Sequence, residues 1–266
     1  NCEESLKLVL MLKAIRPDLI IILGGPEVSY ESAEQQICQV ADFTICGWGD
    51  ISFGQLCAEI FAGNAPEAKI IPGIQAKLPD LASPYSEYTD EDIRQRHLYV
   101  EPSRGCPFKC EFCLSALDKT AWPFPLDAFL ADPEMLWQKG ARQFKFVDRT
   151  FNLKVETSLK IMDFFLNKIA ENPNDMPFAH FELIPDHLPE KLKEAIIKFP
   201  EGTLQFEIGI QTFNLDVQAR ISRKQKNELA KENILWLGEH SGAHLHVDLI
   251  AGLPGETVES FAEGFN

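Results

Sequence analysis

Apolar and polar positions along the chain divide it into two regions with different rhythms. In the first, Leu6, Val9, Leu10 and Lys13 recur at helical spacing, and Arg16-Pro17-Asp18 closes that helix at about residue 15. Leu19-Ile20-Ile21-Ile22-Leu23 is then a continuous apolar run of the kind a parallel sheet buries on both faces. It enters Gly24-Gly25-Pro26-Glu27. A helix is expected over 32–40, a strand over 42–46, the turn Gly47-Trp48-Gly49-Asp50, and a further helix over 53–61. Strand, glycine turn and helix, twice over, make half of a doubly wound (Rossmann-like) α/β domain across residues 1–62. Ligands of such sheets lie at the carboxyl ends of the strands, where both glycine pairs fall.

Residues 63–97 lose the pattern: Pro66, Pro72, Pro79 and Pro84 punctuate a polar stretch rich in acids, which reads as an interdomain linker. From residue 98 strands and helices alternate again. Strands are expected over 98–100, 143–147, 179–183, 204–210 and 244–250, with helices over 155–170, 215–221 and 227–240. Parallel β/α units in series suggest a barrel or part-barrel. In the fourth strand Gln205, Glu207, Gly209 and Gln211 share one face and Phe206, Ile208 and Ile210 the other. His244, His246 and Asp248 oppose Leu245, Val247 and Leu249 in the fifth, and His180 and Glu182 oppose Phe181 and Leu183 in the third. Helices cover a barrel's outer face, so the polar set is expected to point into the lumen. A scaffold would fill that space with Val, Ile and Leu; this lumen suits a polar ligand.

Composition narrows the function. The 266 residues are 45% hydrophobic and 24% charged, ordinary for a globular chain. Lys plus Arg number 25 against 40 Asp plus Glu, a net charge of −15 without a visible basic patch, which counts against a nucleic-acid partner and leaves a small molecule as the expected substrate. The aliphatic runs are too short for a membrane span and no secretion signal is visible, so a cytoplasmic protein is expected. The chain opens on Asn1 and closes on Asn266, each adjoining a helical pattern, and reads as a fragment of a longer one. Of seven Cys, three stand within eight residues, as a metal site in a reducing compartment would require.

Those three are Cys106, Cys110 and Cys113, directly after the 98–100 strand. Three thiolates can hold an iron–sulfur cluster of four irons and leave one iron open, whereas a structural zinc would need a fourth Cys or His close by. With aromatic Phe112 before the last Cys, the spacing resembles the Cys-x3-Cys-x-aromatic-Cys signature of radical S-adenosylmethionine (SAM) enzymes. The resemblance extends over 98–266: the stretch from Phe206 to Asn214, Arg223, and the stretch from His246 to Thr257 look like strands of the coproporphyrinogen-dehydrogenase and methylthiotransferase branches. Residues 1–62 resemble the C-terminal half of the cobalamin-binding domain that precedes many radical SAM domains.

The resemblance implies an incomplete radical SAM (β/α)6 part-barrel over 98–266, truncated at its C-terminus. It implies a 4Fe-4S cluster on Cys106, Cys110 and Cys113, whose fourth iron would chelate the amine and carboxylate of SAM. Phe112, Asp148, Glu182, Gln211, Arg223 and Asp248 would contact SAM: Asp148 beside its amine, Glu182 and Asp248 at the ribose hydroxyls, Gln211 on the substrate side, and Arg223 at the carboxylate, a task suited to a fixed charged fork. Gly24, Gly25, Gly47 and Gly49 would line the channel for the cobalamin nucleotide tail. The second glycine turn is usually Gly-Glu-Gly-Glu in that family, and Gly47-Trp48-Gly49-Asp50 departs from it.

The implied activity is reductive cleavage of SAM to a 5′-deoxyadenosyl radical, fed by a flavodoxin- or ferredoxin-type electron donor, with cobalamin serving methyl transfer or rearrangement at an unactivated carbon. Two alternatives stay open: a methylthiotransferase or tRNA-modifying radical enzyme, and a non-catalytic cobalamin- or metal-binding sensor. Plainer roles compete at single positions. Arg223 beside Lys224 and Lys226 could be a solvated basic turn, Glu182 or His246 satisfied core polar groups, and Asp148 a partner of Arg149 or a helix cap.

Overall fold

A computed structural model describes residues 2–118 and 120–265. The chain divides into two compact units, residues 1–82 and 83–266. In the first unit the order is α1 (Cys2–Ile15), β1 (Ile22–Gly24), α2 (Gln36–Val40), β2 (Phe43–Cys46), α3 (Ser52–Phe61) and β3 (Ile70–Pro72). The strands form one parallel sheet in the order β1-β2-β3, with Gly24 opposite Ile45 and Ile45 opposite Ile71. Alternate β1 side chains serve different clusters. Leu23 joins Val9, Val28, Ile37 and Cys38, while Ile22 joins Phe43, Ile45 and Leu56. Helices therefore pack on both faces, as a doubly wound sheet requires.

Three expectations are corrected in this unit. The apolar run 19–23 supplies a strand only from Ile22, and Ile20 is 47% exposed, because β1 is the edge of the described sheet and lacks a neighbour on one side. The helix expected over 32–40 shrinks to Gln36–Val40. Residues 32–34 instead form a turn closed by Glu34 N–H donating to the Glu31 carbonyl at 2.9 Å, and extended Gln35 delays the helix to residue 36. The 63–97 stretch is not all linker: β3 pairs with β2 inside it, and the division between the units falls after residue 82. Pro72 ends that short strand, which the proline-rich surroundings conceal.

The second unit contains α4 (Asp90–Gln95), β4 (Leu98–Val100), β5 (Ser103–Arg104), β6 (Trp122–Pro123), α5 (Leu126–Gln138), β7 (Gln143–Phe146), α6 (Val155–Glu171), β8 (Phe178–Leu183), α7 (Glu190–Ile196), β9 (Leu204–Gln211), α8 (Leu215–Arg220), α9 (Asn227–His240), β10 (His244–Leu249) and α10 (Val258–Phe265). Its main sheet runs β10-β9-β8-β7-β4, all parallel, so each strand sits beside the preceding strand of the sheet. That simple order lets a sheet curl into a part-barrel; a doubly wound sheet would reverse direction at a switch point. The antiparallel pair β5–β6 stands apart as a small ribbon whose strands flank the cysteine segment.

The core explains why the strand reading holds here. In β9, Leu204, Phe206, Ile208 and Ile210 are buried while the intervening Gln205, Glu207, Gly209 and Gln211 are half-exposed. Phe144, Phe146, Phe165, Phe181 and Phe206 are fully buried, with Phe146 and Phe181 centroids 4.5 Å apart. Burying one such ring is worth about 1.5–3 kcal/mol, so this aromatic layer supplies much of the unit's cohesion. Helix α5 escapes a pattern reading because Pro133 lies inside it, where proline ordinarily breaks a helix. Among the described residues no helix is long and apolar enough to cross a membrane.

Candidate functional site

The polar face of the sheet opens onto a cavity of about 460 Å³ in the second unit. That volume lies within the usual range for small-molecule sites. One wall is the cysteine segment between β5 and β6. Gly105 starts it at φ 91°, and a Cβ there would overlap the Thr120 carbonyl, so the entry to Cys106 depends on glycine. Further along, Glu111 N–H donates to the Ile221 carbonyl at 3.0 Å, and Ser222 Oγ donates to Glu111 Oε1 at 2.7 Å. These bonds fasten the segment to the turn after α8. From that turn Arg223 reaches inward, donating through Nη1 to Cys110 Sγ at 3.7 Å and through Nη2 to the Gly209 carbonyl. Gln225 Oε1 accepts from Arg223 Nε at 3.1 Å, so three partners fix the guanidinium at the cavity wall.

Cys106, Cys110 and Cys113 all line the cavity as free thiols, the first two buried and the third half-buried. Burial pushes the Cys106 thiol up; the Phe108 N–H opposes this, and the neighbouring thiols Cys113 and Cys110 add to it. Three thiols on one wall of the cavity fit a cluster whose irons each take a separate ligand.

Phe112, Glu182, Gln211, Arg223 and Asp248 line the same cavity. The residues proposed for one ligand are thus gathered from the cysteine segment, β8, β9, the turn after α8, and β10. Gln211 ends β9 in a left-handed conformation, φ 72°, and its amide folds back over Gly209, where a Cβ would collide with it. Glu182 accepts from Arg149 Nη1 at 2.8 Å. Burial still pushes Glu182 up against the pull of Arg149, and Glu207, directly opposite on β9, pushes the same way.

Asp148 is a correction. It does not line the large cavity but lies buried beside a second, small one. Parity explains this: Asp148 continues the side of β7 occupied by Phe144 and Phe146, which faces the helices, while Arg149 falls on the cavity side. Asp148 therefore does not pair with Arg149. The same parity, carried past Phe146, would have found Arg149. Glu207 also belongs to the cavity, with His180 Nε2 at 2.9 Å from its Oε2 but misaligned for a hydrogen bond. Burial and Lys145 hold the His180 imidazole below its ordinary value.

Gly24, Gly25, Gly47 and Gly49 lie beyond the carboxyl ends of β1 and β2 or at the last residue of β1. Gly25 and Gly47 adopt φ 104° and 87°, which calls for glycine, while Gly24 and Gly49 do not. Ser29 joins the two turns, donating from Oγ to the Gly25 carbonyl at 2.7 Å and accepting from Gly47 N–H at 2.8 Å. The backbone of Trp48 lies against Gly73, where a Cβ would overlap it.

The radical SAM superfamily matches residues 100–265, more than half of the chain. The ribosomal protein uS12 methylthiotransferase RimO of Thermosipho africanus is 28% identical over 225 residues, 82% of this chain and 49% of that protein. The tRNA-2-methylthio-N(6)-dimethylallyladenosine synthase of Acinetobacter baumannii is 24% identical over 262 residues, 95% of this chain and 54% of that one. The chain spans about half the length of the curated relatives it matches. Among solved structures, the radical SAM methyltransferase TsrM of Kitasatospora setae, with cobalamin and a [4Fe-4S] cluster bound, superposes with a TM-score of 0.75 at 14% identity, over 99% of this chain and 56% of that one. This likeness is one of fold. Because one relative is named for tRNA, the acidic balance does not exclude a nucleic-acid partner; net charge sums a whole surface, whereas binding depends on a local patch. The cysteine wall, the polar inner face and the match over residues 100–265 agree: the chain belongs to the radical SAM superfamily.

Proposed function

We propose that this protein is the catalytic part of an enzyme that binds a 4Fe-4S cluster through Cys106, Cys110 and Cys113 and cleaves SAM reductively. The observation that carries this reading is the gathering of the three thiols with Glu182, Gln211, Arg223 and Asp248 around one cavity. These thiols would hold a cluster that would supply the one-electron reduction needed to cleave SAM to methionine and a 5′-deoxyadenosyl radical, able to take a hydrogen atom from an unactivated carbon. The chain's own part is to bind, orient and enclose. Arg223, already braced by Gln225 and Gly209, presents a guanidinium to the SAM carboxylate. Asp248 and Glu182 supply carboxylates for hydroxyl or ammonium groups, and Gln211 an amide. Phe112, Leu183 and Ile184 give the wall apolar stretches that limit water beside a reactive species.

The decisive experiment is electron paramagnetic resonance of anaerobically reconstituted, dithionite-reduced full-length protein with and without SAM. A 4Fe-4S signal that shifts on adding SAM, with release of 5′-deoxyadenosine, is expected. A signal indifferent to SAM, with no cleavage, favours the non-catalytic binding protein instead. Arg223→Ala is expected to weaken SAM binding roughly 10- to 100-fold, the value of a charge-assisted contact, while iron content stays unchanged. Arg223→Lys recovers only part of the affinity, because an ammonium lacks the planar fork. Anaerobic equilibrium dialysis with SAM measures both.

The finer reading is a cobalamin-assisted methyl transfer or rearrangement on a small molecule, with a flavodoxin or ferredoxin as electron donor. It is supported by the glycine turns that Ser29 joins at the carboxyl end of the first unit's sheet. The 28% identity to RimO supports a second reading, methylthiotransfer to a protein or RNA substrate. Cobalamin titration followed by absorbance separates them: saturable binding that Gly25→Val and Gly47→Val reduce favours the first, and no binding favours the second.

A further inference from the structure

A second cavity of about 30 Å³ lies on the helix side of β7. Ser103 of β5 and Pro123 of β6 form one part of its wall, Asp148 and Thr150 another, and Thr157 and Ile161 of α6 a third. Two polar atoms in this wall, Asp148 Oδ1 and Thr150 Oγ1, are shielded from solvent and have no hydrogen-bond partner among the described residues. Their residues are only 5% and 4% exposed. The adjacent cation, Arg149, is occupied by Glu182 on the other side of the strand. Leaving either atom unpaired is costly, and both residues line this one cavity.

The size and chemistry of the cavity select its occupant. A buried water needs at least about 10–15 Å³ and two to four polar partners, and its share of liquid volume is about 30 Å³. A divalent cation would want about six oxygens, whereas prolines, Phe151, Leu153 and Ile161 form much of this wall. An anion would meet the Asp148 carboxyl group. Ser103 and Thr157 bring further hydroxyl-bearing side chains to the wall.

We infer that Asp148 and Thr150 hold one water between them in this cavity, to whose wall Ser103 of the β5–β6 ribbon also contributes. Ser103 stands three residues before Cys106, and Thr150 also borders the large cavity, so this water lies close behind the start of the cysteine segment.

A crystal structure of the full-length, cluster-loaded protein tests the site directly. One water within hydrogen-bonding distance of both Oδ1 and Oγ1 is expected. A dry cavity, a direct protein bond to Asp148 Oδ1, or a metal ion at coordination distance overturns the assignment. In solution, Thr150→Val keeps the side-chain shape and removes the hydroxyl. It is expected to lower the midpoint of thermal unfolding by about 2–4 °C, while Thr150→Ser stays close to the parent. Equal midpoints for the valine variant and the parent overturn it as well.

Discussion

Cys110→Ala should leave a folded protein that neither assembles a SAM-responsive 4Fe-4S cluster nor releases 5′-deoxyadenosine above background. Cys110 is the middle thiol of the segment, buried, and approached by Arg223 at 3.7 Å. Its removal leaves two thiols on the wall where three corners of a cluster need ligands, and the segment has no other Cys to substitute. The fold should survive, because the aromatic core of Phe144, Phe146, Phe165, Phe181 and Phe206 draws nothing from the segment. Iron analysis, paramagnetic resonance and circular dichroism together check the prediction. An Ala variant that retains a full, SAM-sensitive signal would falsify the ligand assignment.

Asp148→Asn should stabilise the protein at pH 8 and flatten the dependence of its stability on pH. Burial pushes the Asp148 carboxyl from its ordinary value of 3.8 up to about 8, with Glu182 and Glu101 adding to the rise and its own backbone N–H opposing it. Between those two values the folded chain keeps the proton and the unfolded chain has released it. Stability held below the unfolded pKa is then lost as pH rises through the folded one. Every tenfold difference in acidity between the folded and unfolded chain is worth about 1.4 kcal/mol, so the loss by pH 8 approaches about 5 kcal/mol at most. Asparagine carries no charge to bury at any pH. Thermal unfolding of both proteins across pH 5 to 9 measures the difference. Parallel profiles for parent and variant would show that Asp148 titrates as a solvated acid.

Much of the second unit was legible in the chain because its strands carry their own instructions. In β9 the alternation of Phe206, Ile208 and Ile210 with Glu207, Gly209 and Gln211 states both the strand and the side facing the cavity. The spacing of Cys106, Cys110 and Cys113 states the kind of ligand as plainly, because three thiols so close in sequence must also lie close in space. Other elements were hidden for local reasons: Pro133 disguised helix α5, and Pro72 disguised strand β3. Asp148 was singled out by the resemblance alone, whereas the parity of Phe144 and Phe146 assigned its side chain to the helix side.

What the sequence determined by itself, then, is the α/β class, the serial strands, the thiol wall and the polar lumen. Only the tertiary structure decided which distant groups meet: Ser222 with Glu111 across 111 positions, Arg223 with Cys110 across 113, and Arg149 with Glu182 across 33. The physical reason is range. Strand and helix periods are properties of neighbouring backbone units, so they are written in short stretches of sequence. Contacts between remote side chains arise when sheets pack and loops close, and no local period records them.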